Sequence, residues 1–158
     1  MTSFGSPNDF FGVHPTPAKR SRSNALVAYK FDQKEGRAFW EQLWTRKIDE
    51  QHHEVCCIPF FVYGLSLGDK ILAANNFFFL VVEKSGNATF WVCLGHDVQS
   101  RGKLVKEIKA LGAEFEWSSE SKTLLAINAS SPEISWKLTD LLDALEATGA
   151  VEFEVGDG

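Results

Sequence analysis

The sequence predicts an α+β fold in which a small, twisted antiparallel sheet or partial barrel is joined to a ferredoxin-like split β-α-β unit. Three observations predict it. From residue 25 to residue 94, short apolar stretches are separated by turn residues at close spacing, as in successive antiparallel strands. Past Gly95 the texture changes to strand, helix, strand, strand, helix, strand. The chain has 158 residues, 44% of them hydrophobic, which suffices for one domain with a sizeable core.

Residues 1–23 are rich in Ser, Pro, Gly and Asn and follow neither hydrophobic period, so they read as a flexible arm. Phe10, Phe11 and Val13 offer it a short anchor. Residues 24–158 read as a single compact domain, with a β-rich half over 24–94 and a ferredoxin-like half over 89–158. The strand from Thr89 would then belong to both halves.

Alternation from Ala25 to Phe31 predicts the first strand. Between about Lys34 and Lys47, Phe39 and Leu43, with Trp40 and Trp44, recur at helical spacing and predict an amphipathic helix with an aromatic stripe. His52 to Cys57 reads as a strand leading into Ile58-Pro59-Phe60-Phe61-Val62-Tyr63. Pro59 makes that run an edge or a bulge rather than a central strand. Gly64 and Gly68 admit positive φ, and Ser66 and Asp69 can answer turn amides through their side chains. Of Phe60 and Phe61, one ring should join the core and the other cap a surface groove.

Ile71 to Ala74 and Phe77 to Glu83 form a hairpin across Asn75-Asn76. Ser85-Gly86-Asn87 turns the chain into Thr89 to Leu94. Leu104, Val105, Ile108 and Leu111 give the next helix its apolar face, closed at Gly112. Strands at Phe115 to Trp117 and Thr123 to Asn128 follow. Ser131-Pro132-Glu133 opens a second helix, and Val151, Phe153 and Val155 alternate with Glu152 and Glu154 in a final strand.

Composition excludes several classes. No apolar run approaches the roughly 20 residues of a membrane span, and the N-terminus lacks a signal-peptide layout, so a cytoplasmic protein away from membranes is expected. Three cysteines, two of them adjacent, do not make a disulfide framework. A net charge of −5 disfavours nucleic acid as partner. The basic run Lys19-Arg20-Ser21-Arg22 gives the first 23 residues a net of +2 and leaves −7 for the rest. It reads as a solvated leader before it reads as a nucleic-acid or partner contact.

No catalytic constellation and no cofactor or phosphate-binding motif is present. His52-His53-Glu54-Val55-Cys56-Cys57 splits its side chains between two strand faces, so neither face offers four metal ligands. Cys93 and His96 would be needed to complete a zinc site, and a small apolar thiol is the preferred reading of Cys93. Cys57 with His96 or His53 would lack an oxyanion hole and an orienting acid as a nucleophile pair. No metal and no cofactor is therefore expected.

The strongest functional signal is electrostatic. From Glu114 to Gly158, Glu120 and Asp157 included, ten acids face two lysines. In a ferredoxin-like unit Glu114, Glu116, Glu152 and Glu154 should point away from the helices and make the open sheet face acidic, with the aromatics inward. Asp140 and Asp143 would form a second patch. Such a surface repels nucleic acid and attracts a basic protein.

At Trp40-Glu41-Gln42-Leu43-Trp44, followed by Ile58-Pro59-Phe60-Phe61-Val62-Tyr63-Gly64-Leu65-Ser66-Leu67-Gly68-Asp69, the chain resembles a bacterial family known as domain of unknown function 4265. That family looks like an aromatic helix carrying E-x-L-W, an N-x-P-F-like segment, and G-L-x-x-G-D entering a strand. The resemblance covers about Leu26 to Leu94, with Cys57 where a polar residue is expected. It implies a bacterial source and no reaction.

The expected function is a non-enzymatic cytoplasmic protein-binding module, such as an immunity protein that neutralises a bacterial toxin. Its partner would be a basic toxin domain gripped by Glu114, Glu116, Glu152 and Glu154, with Asp140 and Asp143 behind them. The alternative is a small-molecule sensor or regulatory domain with a ligand pocket near Trp44, Phe60 and Tyr63.

Overall fold

The computed structural model describes residues 7–95, 98–119 and 122–156. Expectations that fall on residues 1–6, His96, Glu120 and Asp157 lie outside these. The described residues form a mixed α+β structure of two sheets and two helices.

The first sheet contains β1 (Phe10–Gly12), β2 (Ala25–Lys34), β3 (Arg37–Lys47), β4 (His52–Val55), β5 (Lys70–Ala74) and β6 (Phe77–Glu83). Its order is β1-β3-β2-β6-β5-β4, and β4 returns to pair with β3. Strands β2 to β6 therefore close a small barrel, sealed by a short parallel contact at Ala28 and Phe77. Val27, Leu43, Val55, Ile71 and Ala73 fill it together with Cys57, Val62 and Leu65 from the loop after β4.

The helix expected over 34–47 is instead strand β3. Glu35 and Gly36 both take positive φ, +52° and +75°, and make the two-residue turn of a hairpin that registers Lys34 against Arg37. Residues four apart share one face of a strand as well as one face of a helix, so Phe39 with Leu43 and Trp40 with Trp44 fit either period. Burial decides for the strand: Glu41, Leu43 and Thr45 are inside, at a spacing of two. The Asn75-Asn76 hairpin forms as expected, with φ of +55° and +66°.

The second sheet is ferredoxin-like, as predicted. It runs β7 (Ala88–Leu94), α1 (Val98–Ala110), β8 (Glu114–Trp117), β9 (Leu124–Ala129), α2 (Pro132–Ala147) and β10 (Val151–Val155). The strand order β10-β7-β9-β8 is antiparallel throughout. The Ser131 side chain accepts a hydrogen bond from the Ile134 amide and caps α2, with Pro132 in the first turn. Leu104 and Ile108 of α1, with Leu138 and Leu142 of α2, bury the face that carries Val92, Leu125 and Ile127.

Two expectations about this half change. Strand β7 pairs with β9 and β10 and with no strand of the barrel, so it is not shared. Nor is the sheet face away from the helices open. The loop after β4 lies on it, packing Ile58, Phe60 and Leu67 against Trp91 and Ala126. Trp91 is thus an aromatic on the face that was expected to hold none.

Residues 7–23 are docked rather than free. β1 lies parallel to β3, and the Asp9 carboxylate accepts hydrogen bonds from the Ala38 amide and the Trp40 indole, both at 3.0 Å. Phe10 and Phe11 are half-buried as the anchor, whereas Val13 is exposed. The basic run is engaged inside the molecule. Lys19 pairs with Glu114, Arg22 with Glu54, and the Arg20 guanidinium lies 4.1 Å over the Trp44 ring.

Candidate functional site: a cleft where the two halves meet

Residues 56–69 form an irregular segment that is mostly buried, so its amides need partners, and only a few find them on strand carbonyls, Cys56 at Trp44 and Gly68 at Val55. Carboxylates serve several of the others. Glu41 on β3 accepts from the Phe60 and Phe61 amides at 2.8 and 2.9 Å. Glu116 on β8 accepts from the Ile58 amide at 2.5 Å and the Ala18 amide at 3.0 Å. Asp69 accepts from the Ser66 and Ser85 amides and from Lys84, as the turn chemistry of Ser66 and Asp69 implied.

Glu41 and Glu116 are joined by His14. Its Nε2 donates to Glu41 at 2.6 Å and its Nδ1 to Glu116 at 2.8 Å, which only the imidazolium can do from both nitrogens. The ring stacks on Phe60 at 4.4 Å. Burial by itself would lower the His14 pKa, but Cys57, Glu116 and Glu41 overrule it and hold it well above 6.5. Burial in turn pushes the Cys57 thiol up.

This network fixes the frame and does not itself face solvent. His14, Glu41 and Glu116 have fully buried side chains, and Cys56 and Cys57 are buried. Burial, then Glu54, pushes the Cys56 thiol up to about 11. His53 meets Thr45 at 2.8 Å, and burial lowers its pKa. Cys57 therefore faces His14 as a buried thiol, with no route to a substrate. Among the described residues no group of three or more His, Cys, Asp or Glu is placed to hold a metal.

Beside the frame lies a cleft of about 500 Å³. Its walls are Phe31, Phe60 and Phe61 from the barrel side, Trp91 from β7, and Tyr63 between them. Phe31 sits at an irregularity in the β2–β3 register and stacks on Phe61, rings 4.7 Å apart and 15° from parallel. Tyr63 meets Trp91 edge to face at 4.8 Å, and the Trp91 indole donates to the Pro59 carbonyl at 2.7 Å. The Tyr63 hydroxyl donates to Glu154 at 2.8 Å, which raises its own pKa. Glu152 and the exposed thiol of Cys93 complete the rim.

The expected site residues separate. Phe60 and Tyr63 line this cleft, but Trp44 borders a different hollow of about 490 Å³ with Arg20 and Asn76. Of the four glutamates, Glu116 is 1% exposed and inaccessible to a partner, and Glu114 is paired with Lys19. Glu152 and Glu154 are exposed at the cleft. Asp140 and Asp143 are exposed on α2, which covers the opposite face of the sheet. The six acids do not form one surface. The sequence reading missed His14, Phe31 and Trp91, and no local signal marked Glu116 as buried, since Glu154 stands between Phe153 and Val155 as Glu116 does between Phe115 and Trp117 and is exposed.

The family described as Domain of unknown function (DUF4265) matches residues 41–153. The structure is similar to a crystal structure of a hypothetical protein from Neisseria gonorrhoeae, with a TM-score of 0.65 and 16% identity. That similarity covers 83% of this chain and 94% of that one, and at this identity it concerns the fold alone. No curated protein matches the chain.

Proposed function

The chain belongs to the DUF4265 family, whose description assigns no reaction, and from that premise we propose a non-enzymatic sensor or regulatory domain that binds a small molecule between its two halves. One observation carries this: a concave, aromatic-walled cleft of about 500 Å³ at the junction of barrel and ferredoxin-like sheet. Ligand sites favour such junctions, and this volume suits a drug-sized molecule. The walls are held before any ligand arrives, because Glu41 and Glu116 fix the loop that carries Phe60 and Phe61. Unpaired, buried Cys56 and Cys57 support residence in a reducing, cytoplasmic compartment; no helix among the described residues is long and apolar enough to cross a membrane.

Thermal unfolding across a metabolite library tests the proposal. A ligand at a hundred times its Kd stabilises by about 2.7 kcal/mol, which lifts the Tm of a chain this size by roughly 5–10 °C. The variant Cys93→Trp, which fills the cleft from its rim, should lose the shift. No shift with any metabolite, or an equal shift in the variant, would refute the proposed site.

A second reading, a protein-binding module such as an immunity protein that neutralises a basic toxin domain, is favoured by Trp136. It is 71% exposed on α2, and Asp140 and Asp143 follow it at one and two turns. Reversing both aspartates to lysine should then abolish binding to a basic partner and its salt dependence. Unchanged affinity would remove this surface.

A further inference from the structure

We infer that the cleft selects an organic cation, an ammonium group on a compact apolar body, over neutral and anionic molecules of the same shape. This rests on the cleft being the ligand site and specifies its chemistry.

The register sets the charge. Across β10 and β7, Glu152 stands opposite Cys93 and Glu154 opposite Trp91, so both carboxylates project on the face that forms the cleft wall. No lysine or arginine lines the cleft. Among the described residues neither Glu152 nor Glu154 has an ion-pair partner. Several acids elsewhere are answered within the molecule, Glu114 by Lys19, Glu54 by Arg22 and Arg46, Asp69 by Lys84 and Glu83 by Lys70, whereas Asp140 and Asp143 lie on an open helix face with no apolar cleft beside them. The cleft is where negative charge meets an apolar wall and is left for something else to neutralise.

Donors point the same way. The Trp91 indole N–H is engaged by the Pro59 carbonyl and the Tyr63 hydroxyl by Glu154. Among the described residues, and apart from the Cys93 thiol, the lining side chains therefore present ring faces, the Leu124 aliphatic chain and acceptor oxygens, with no uncommitted side-chain donor. A carboxylate or phosphate entering here would find repulsion from the rim and no charged side chain to pair with among the described residues. An ammonium would find ring quadrupoles at the walls and carboxylates at the rim, the two environments that attract it. Glu154 is pinned by Tyr63, so part of that charge is already in place.

The probes are choline and its uncharged carbon isostere, a dimethylbutanol, titrated calorimetrically into the full chain and into Glu152→Gln/Glu154→Gln. Both glutamates are exposed, so the double variant should fold, which its unfolding curve will verify. Choline should bind the wild type at least tenfold more tightly than the isostere, and the double variant should cut that preference several-fold, to what the ring faces alone supply, while leaving the isostere unaffected. Equal binding of the two probes, or a preference for choline that is undiminished in the double variant, would overturn the inference while leaving the cleft as a site. Binding of neither probe would overturn the inference too, and the metabolite titrations with Cys93→Trp would then decide whether the cleft itself stands.

Discussion

His14 donates to a carboxylate 27 residues away and to another 102 residues away, so one ring ties the docked N-terminal segment to both sheets. Replacing it by phenylalanine keeps the stacking shape against Phe60 but strands two buried carboxylates. The expected cost is about 3–5 kcal/mol, read from the midpoint of urea unfolding, because an uncompensated buried charge is far worse than an absent ion pair. The pH dependence has a definite sign. A histidine whose folded pKa is raised contributes stability that is complete below its unfolded value near 6.5 and is lost as pH rises through the folded value. Wild-type stability should therefore fall with pH above about 6.5, and His14→Phe should flatten that slope. Thiol ionisation acts in the same direction only above about 8.5, so the comparison belongs between those limits.

At the scale of elements, the segment from Cys56 to Asp69 has no strand pairing yet is anchored like one. Hydrogen exchange should show the Ile58, Phe60 and Phe61 amides protected to the level of the sheet, since their acceptors are buried carboxylates; rapid exchange there would contradict the anchoring. Two glycines separate turn strain from crowding. Gly36 has φ of +75° and nothing near a would-be Cβ, so Gly36→Ala should cost about 1 kcal/mol. Gly68 has φ of +84° and a would-be Cβ 3.1 Å from the Ser85 Cβ, and Ser85 is held by Asp69 and the Leu67 carbonyl. Gly68→Ala should cost about 2–3 kcal/mol, the added part being overpacking. The two turns also show what was legible. Asn75-Asn76 announced its hairpin because asparagine tolerates left-handed backbone; Glu35-Gly36 did not, because glutamate does so rarely, and without that turn the four-residue spacing of Phe39 and Leu43 passed for a helix.

For the whole molecule, the ferredoxin-like half was legible because its apolar periods, cap and turn signals each belong to one element. How that half meets the barrel was not, since it depends on which polar residues are buried. Glu116 and Glu154 look alike in an alternating strand; one ends inside against His14 and the other at a solvent-facing cleft. The same interface sets how the protein unfolds. With His14 in place the two sheets should melt in one cooperative transition by both tryptophan fluorescence and far-ultraviolet circular dichroism. In His14→Phe the two probes should separate, as the sheets lose their common tie; coincident curves in the variant would place the coupling in the apolar contacts of Ile58, Phe60 and Leu67 alone.

Order of synthesis gives the His14 network a further consequence. His14 precedes Glu116 by 102 residues, so every strand of the first sheet is synthesised before the β8 carboxylate that His14 also holds. Until then His14 can reach Glu41 alone, and the Ile58 and Ala18 amides lack the acceptor that Glu116 will supply. Such long-range closure is slow relative to local hairpins, and the growing chain passes through a stage in which Ile58, Phe60 and Leu67 of the loop after β4 lack the cover of Trp91 and Ala126. The clasp that makes the finished protein one body is thus also what delays its completion, and it is in that interval that a chaperone would find its surface.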